Sequence, residues 1–271
     1  MVKLWKYLRA FALVGWRIVF DYFRYFLPMS RHPERYDIHT RYNAIRSTIV
    51  FVLKHLKLDV RTERLPARRD KPILYISNHV SALDPLLLIA QSDEPLSFIA
   101  KKEARKIVIA GRVIRALDGL FLDRSDPFQA VRCFQIMKKK IAEGWSYCVY
   151  PEGTREKGEM LGHLLPFHPG SFKIGYMAKC DIVLVGTYGS FHAFSNEIGN
   201  RSNLVQVKEV EILSYENYKD IKTTILASYC EEKLSTPLLA MVQNDRAYVR
   251  SGQNKTRPPH WWKETKKGEI R

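Results

Sequence analysis

The chain has 271 residues, 46% of them hydrophobic, enough for one sizeable core in a domain of ordinary composition. Its 14 glycines and 13 prolines exclude a fibrous or wholly disordered chain. A formal net charge of +16 calls for an anionic partner (nucleic acid, an acidic membrane face or a phosphorylated substrate) without choosing among them.

Residues 1–27 read MVKLWKYLRAFALVGWRIVFDYFRYFL. The longest charge-free run, Ala10 to Trp16, is far short of the ~20 residues a membrane-spanning helix needs, and no small-residue cleavage site follows. Neither a spanning helix nor a signal peptide is expected. At about 100° per residue, Lys3, Lys6, Arg9, Arg17, Asp21 and Arg24 share one narrow stripe. Leu4, Leu8, Phe11, Ile18, Tyr22 and Phe26 fall opposite, flanked by Trp5 and Trp16. That is the pattern of a helix lying in a membrane interface; the plainer alternative is an amphipathic helix packed on its own domain.

A break at Pro28 to Pro33 separates this stretch from a second helix beginning near Pro33, with Ile38, Tyr42, Ile45, Ile49, Leu53 and Leu56 at helical spacing. Leu65-Pro66 and the charged run after it read as a linker. The chain then alternates, with strands expected at 73–77, 96–99, 119–122, 146–150 and 182–188. Helices are expected from Pro85 and at 102–115, 127–143 and 170–179, the third capped by Ser125 or Asp126 and stopped by Gly144. This alternation predicts an α/β single domain with a central mixed sheet flanked by helices, preceded by an N-terminal amphipathic, membrane-associated helical pair. The expected plan is an interfacial segment at 1–60, a catalytic domain at 61–250 and a basic, weakly structured tail at 251–271 carrying Trp261-Trp262. Cys133, Cys148, Cys180 and Cys230 lie far apart, as apolar fillers of elements in a reducing compartment rather than metal ligands.

Three segments carry chemistry, each just past an apolar strand, where α/β proteins place their sites. In the first, His79 is followed five residues later by Asp84, close enough for the carboxylate to hold one ring nitrogen and free the other as a base. Asp84-Pro85 is equally a good helix start, with Asp84 as N-cap. The second is Val149-Tyr150-Pro151-Glu152-Gly153-Thr154-Arg155, whose arginine offers a two-pronged donor to phosphate; alone it could be a polar turn. The third, Gly119 to Arg124, delivers Arg124 at a strand end, where a surface ion pair is the ordinary outcome.

Together the three resemble, in order and spacing, the glycerolipid acyltransferase family that includes 1-acylglycerol-3-phosphate acyltransferases. Asn78, His79 and Asp84 match its first block; Gly119 with Phe121-Leu122-Asp123-Arg124 is similar to its second; Pro151 to Arg155 matches its third. Leu165-Pro166-Phe167 with Gly170 and Phe172 resembles a further stretch. Ile182-Val183-Leu184-Val185 departs from the usual Ile-Val-Pro-Val, and His168-Pro169 stands where lysines are common.

The resemblance implies His79 as general base and Asp84 as its partner, with Arg124 and Arg155 on the acceptor phosphate and Glu152, Gly153 and Thr154 in the same substrate pocket. It implies a lysophospholipid acceptor, an acyl thioester donor on coenzyme A or a carrier protein, no cofactor and no metal. The N-terminal stripes add the expectation of a peripheral or monotopic position on the cytoplasmic face of an anionic membrane, and no nucleic acid is expected as partner because the sequence has no helix-turn-helix, zinc or RNA-sheet signature. The competing readings are an acyltransferase or transacylase for another lyso-acceptor, and a non-enzymatic lipid-binding protein.

Overall fold

The structure, a computed structural model, describes residues 11–56, 58–62, 65, 73–123, 126–155, 162–194 and 202–255. Helix α1 (11–31) runs into a short turn at Pro33–Arg35 and is followed by α2 (Ile38–His55). The α/β part is β1 (Asp59–Thr62), β2 (Ile73–Ser77), α3 (Asp84–Gln91), β3 (Leu96–Lys101), α4 (Val108–Ala116), β4 (Leu120–Leu122), α5 (Pro127–Ala142) and β5 (Ser146–Val149). It continues through α6 (Lys173–Ala178), β6 (Asp181–Tyr188), β7 (Leu204–Leu213), α7 (Tyr215–Tyr218) and α8 (Thr223–Arg250).

Seven strands form one sheet in the order β1-β7-β6-β2-β5-β3-β4. Pairings are parallel except β6 with β7, so the sheet is mixed and the five strands from β6 to β4 point the same way. Every residue of β2 is buried, as a strand covered by helices on both faces requires. Trp145, Tyr147, Ile76, Leu74 and Phe172 anchor a continuous core around it.

The expected alternation of strands and helices is present, with ends adjusted by a residue or two. The stretch read as a helix at 102–115 is a 3-10 turn at Lys102–Lys106 followed by α4. Likewise, 170–179 is a 3-10 turn at Pro169–Phe172 and then α6. The second N-terminal helix begins at Ile38, later than expected, because Asp37 caps it by accepting the Thr40 N–H at 2.9 Å.

The larger correction is in α1. The helix continues through Pro28, where the preceding turn is π-helical, and ends at His32. Two of its turns, Phe11–Gly15 and Tyr22–Phe26, are π-helical. A π turn closes i→i+5, so each one rotates the faces away from the 100° wheel. Asp21, expected among the solvated cations, is fully buried and accepts from Thr48 Oγ1 at 2.5 Å and from Arg17 Nε at 2.5 Å. Phe26 and Met29 enter the core, while Trp16, Phe20 and Phe23 stay 58%, 59% and 65% exposed. The expected stripes at Lys3 to Arg9 lie outside the described residues.

Helix α2 is fastened to α3, to the end of α4 and to the loop after it by specific bonds. Arg41 on α2 donates to the Ala116 carbonyl at 3.0 Å and to Asp118 Oδ2 at 2.9 Å, and the Tyr42 hydroxyl donates to the Ile89 carbonyl at 3.0 Å. Helix α1 packs against α2 and α4. Among the described residues, no helix is long and apolar enough to cross a membrane.

Candidate active site

The loops after β2, β5 and β6 meet at the carboxyl edge of the sheet, because those three strands are parallel neighbours. Asn78 locks the first loop to β6: its Nδ2 donates to the Thr187 carbonyl at 2.8 Å, and the Thr187 N–H donates to its Oδ1 at 2.8 Å. His79 follows, and its Nδ1 lies 2.8 Å from Asp84 Oδ2. The same oxygen accepts the Val80 and Ser81 N–H groups at 2.8 Å each, and Asp84 Oδ1 accepts from the Ser190 hydroxyl at 2.5 Å.

Asp84 is fully buried, and its carboxylate closes the preceding loop rather than capping α3, whose N-cap is Leu83 without a side-chain bond. The helix-cap reading of Asp84 is thereby replaced. A carboxylate held by four donors has no freedom to turn. It fixes the imidazole with Nδ1 protonated, so the lone pair for chemistry is on Nε2.

Behind the imidazole lies Tyr150, stacked at 4.2 Å between centroids and 19° between planes, with Phe98 parallel beyond it. The Tyr150 ring lines the cavity, while its hydroxyl is buried beside Cys148 without a conventional hydrogen-bond partner. Burial drives the pKa of both the Cys148 thiol and the Tyr150 phenol far up, so both stay neutral.

Glu152 is 3% exposed; its Oε1 accepts the His79 N–H at 2.7 Å and its Oε2 accepts the Leu165 N–H at 3.0 Å. The carboxylate therefore shapes the pocket by tying the loop that carries His79 to the 162–168 segment.

A cavity of about 840 Å³ opens at this edge. Its polar end holds His79, Glu152, Gly153, Thr154, Arg155 and Lys101; its apolar end runs between α4 and α5, past Val113, Ile114, Leu117 and Phe134. Arg155 is exposed and lines the cavity. Arg124 lies outside the described residues; its neighbour Asp123 pairs with Lys102 at 2.5 Å. Among the described residues, no group of three or more His, Cys, Asp or Glu could hold a metal ion.

Ser190 is the site residue that sequence reasoning missed. It stands 106 positions from Asp84, at the end of β6. It reaches the carboxylate because Gly189 turns the chain at φ +83, where an added Cβ would lie 2.0 Å from the Leu204 carbonyl oxygen. A glycine-serine after an apolar strand was the only available signal.

The family model described as Acyltransferase matches residues 57–187, the segment from the start of the sheet to the end of β6. Over this segment, a little under half of its length, the chain is similar to the acyltransferase family. The acyltransferase segment is similar to the probable 1-acyl-sn-glycerol-3-phosphate acyltransferases of Mycoplasma genitalium (30% identical over 55% of this chain and 53% of that one) and Mycoplasma pneumoniae (31% over 58% and 60%). The chain thus spans about half to three fifths of those relatives. The human 1-acyl-sn-glycerol-3-phosphate acyltransferase beta is 28% identical over 68% of this chain and 66% of its own. The fold is shared with the crystal structure of the 1-acyl-sn-glycerophosphate (LPA) acyltransferase from Thermotoga maritima, at TM-score 0.61 and 24% identity, covering 87% of this chain and 92% of that one.

Proposed function

We propose that the protein transfers a fatty acyl group from an acyl thioester to the free hydroxyl of a lysophospholipid, 1-acylglycerol-3-phosphate, giving phosphatidic acid for phospholipid synthesis. The observation that carries the proposal is the buried Asp84 holding His79 at 2.8 Å, with the free face of the imidazole on a cavity that is polar at one end, with Lys101 and Arg155 among its lining, and apolar at the other. An acceptor with a phosphate and an alkyl chain, and a donor with an acyl chain, match those two ends.

His79 Nε2 takes the proton from the acceptor hydroxyl as its oxygen attacks the thioester carbonyl. The new ester forms as the carbon–sulfur bond breaks, and the thiolate leaves with the proton returned by His79. Asp84 stays ionised and steadies the imidazolium, while Arg155, with Arg124, grips the phosphate and spends remote binding energy on orientation. The donor is coenzyme A or carrier-protein thioester, used as substrate, with no cofactor. Trp16, Phe20 and Phe23 on α1 support a peripheral or monotopic position at an anionic membrane surface, on the cytoplasmic face.

The test supplies purified protein with lysophosphatidic acid and each thioester in turn, and measures phosphatidic acid and free thiol. One thiol per product is expected. Product from phospholipid donors alone would replace this reading with a transacylase.

A further inference from the structure

The apolar surface of the molecule is not confined to α1. Ile107, Val108 and Ile109, at the tip where the 3-10 turn enters α4, are 59%, 67% and 43% exposed. Phe128 and Val131, on the first turns of α5, are 76% and 58% exposed. Helices α4 and α5 follow the parallel strands β3 and β4, so both begin at the carboxyl edge of the sheet, the edge that carries His79. The cavity lies between them, bordered by Ala110 and Val113 on one side and Ala130 and Phe134 on the other. The two apolar tips therefore flank its mouth.

The tip on α4 is held in shape. The Gly111 N–H donates to the Ile107 carbonyl at 2.7 Å, and a Cβ at Gly111 would come within 2.6 Å of the Arg105 carbonyl oxygen, so only glycine lets the turn close this tightly. Cations surround it: residues 101–115 contain Lys101, Lys102, Arg105, Lys106, Arg112 and Arg115 against the single carboxylate Glu103. Burial, and then the repulsion of Arg105 and Arg112, lower the Arg115 pKa, which shows how closely these charges crowd.

We infer that the catalytic edge itself enters an anionic lipid bilayer, with Ile107–Ile109 and Phe128/Val131 as two wedges that seat the cavity mouth among the acyl chains. The inference rests on the lipid acceptor proposed above and adds how that acceptor arrives: sideways from the leaflet, between the wedges. A second copy of the chain is a poor occupant, since it would set this crowd of cations against its own equal. An anionic bilayer satisfies both features, the apolar tips in its hydrocarbon and the cations at its headgroups.

The experiment places Val108→Cys or Phe128→Cys in the full chain, labels the new thiol with an environment-sensitive fluorophore, and adds phosphatidylglycerol/phosphatidylcholine vesicles. Cys133, Cys148, Cys180 and Cys230 are all buried, so the label goes to the introduced site. The control is Glu216→Cys on α7, which lies at the opposite edge because the end of β7 pairs with the start of β6. Blue-shifted emission, quenched by brominated acyl chains, is expected at 108 and 128 and not at 216. Vesicle-bound protein whose labels at 108 and 128 remain in water overturns the inference, as does an absence of vesicle binding. A blue shift without vesicles that grows with protein concentration assigns the surface to self-association instead. None of these readouts needs turnover, so a failure of acyl transfer in the product assay is registered separately.

Discussion

His79 and Asp84 lie five positions apart on one loop, so their meeting is a local event and legible in the sequence. Replacing His79 by Ala should leave a folded protein with turnover down about a thousandfold, the middle of the range for losing a general base. Asp84→Asn should be nearly as severe, because an amide oxygen is a weaker acceptor for three donors and its NH2 group cannot stand in for the charge. Retention of more than a tenth of wild-type turnover in His79→Ala would refute the assignment. Ser190 is different in kind. Its bond to Asp84 Oδ1 depends on β6 lying beside β2, a fact of topology that no spacing rule reveals. Ser190→Ala removes one of four donors, so kcat should fall about two- to thirteenfold, the range for about 0.5–1.5 kcal/mol, with KM for the acceptor unchanged. Steady-state kinetics at saturating thioester measures both; an altered KM with normal kcat would move Ser190 out of the catalytic network. Arg155 should show the reverse split. Arg155→Lys keeps the charge and loses the paired donors, so KM for a phosphorylated acceptor should rise while the thioester KM holds.

At the scale of elements, strands and helices with a plain period were readable, and those with a shifted phase were not. On α1 a helical wheel groups Trp16, Phe20 and Phe23 apart from Asp21 but does not say which side is buried; the core takes the side of Asp21, Phe26 and Met29, with Thr48 and Arg17 holding the Asp21 carboxylate. Strand β7 is obscured differently. Its pairing with β6 slips between Leu184 and Val185, so the alternation begun by Val205 and Val207 does not continue as buried residues at Val210 and Ile212. These particulars alter how α1 should be tested. Deleting the helix would strip Phe26 and Met29 from the core, where loss of a large side chain typically removes about 2–5 kcal/mol, so unfolding would confuse the result. Phe20→Asp with Phe23→Asp changes only exposed positions. The double variant should keep the wild-type circular dichroism and melting temperature and shift part of the protein from the vesicle pellet to the supernatant, the tips of α4 and α5 still holding the rest. High salt should loosen the wild type only in part, since apolar burial outweighs the ~1 kcal/mol per cation that salt screens. Full pelleting of the double variant would show that this face of α1 does not touch lipid.

For the whole molecule, the net charge of +16 and the buried titratable groups pull stability in opposite directions as pH rises, and they do so in separable windows. Burial pushes the thiols of Cys180 and Cys230 up to about 12, and that of Cys148 higher still. An unfolded chain releases a thiol proton near ~8.5. Folding therefore retains protons that the unfolded chain has lost once the pH passes that value. The stability these groups contribute is complete below ~8.5 and drains away as pH climbs toward about 12, at about 1.4 kcal/mol per pH unit for each retained proton. The lysines act later: they lose charge only near ~10.4, and their neutralisation relieves self-repulsion, which favours the folded state. Between pH ~9 and ~10 the thiols of Cys148, Cys180 and Cys230 together give a slope of up to about 4 kcal/mol per pH unit, and buried phenols such as Tyr188 and Tyr248, also pushed up to about 12, steepen it as the pH nears ~10. Urea unfolding under reducing conditions should show that decline across the window. The Cys180→Ala and Cys230→Ala variants, each less stable at pH 8 for the volume lost, should lie on shallower lines. The same burial predicts that iodoacetamide at pH 8 leaves all four cysteines unmodified until urea is added. Stability that stays flat from pH 9 to 10, together with rapid alkylation of the native protein, would mean that these thiols are open to solvent and that the core around β5, β6 and α8 is not packed as described.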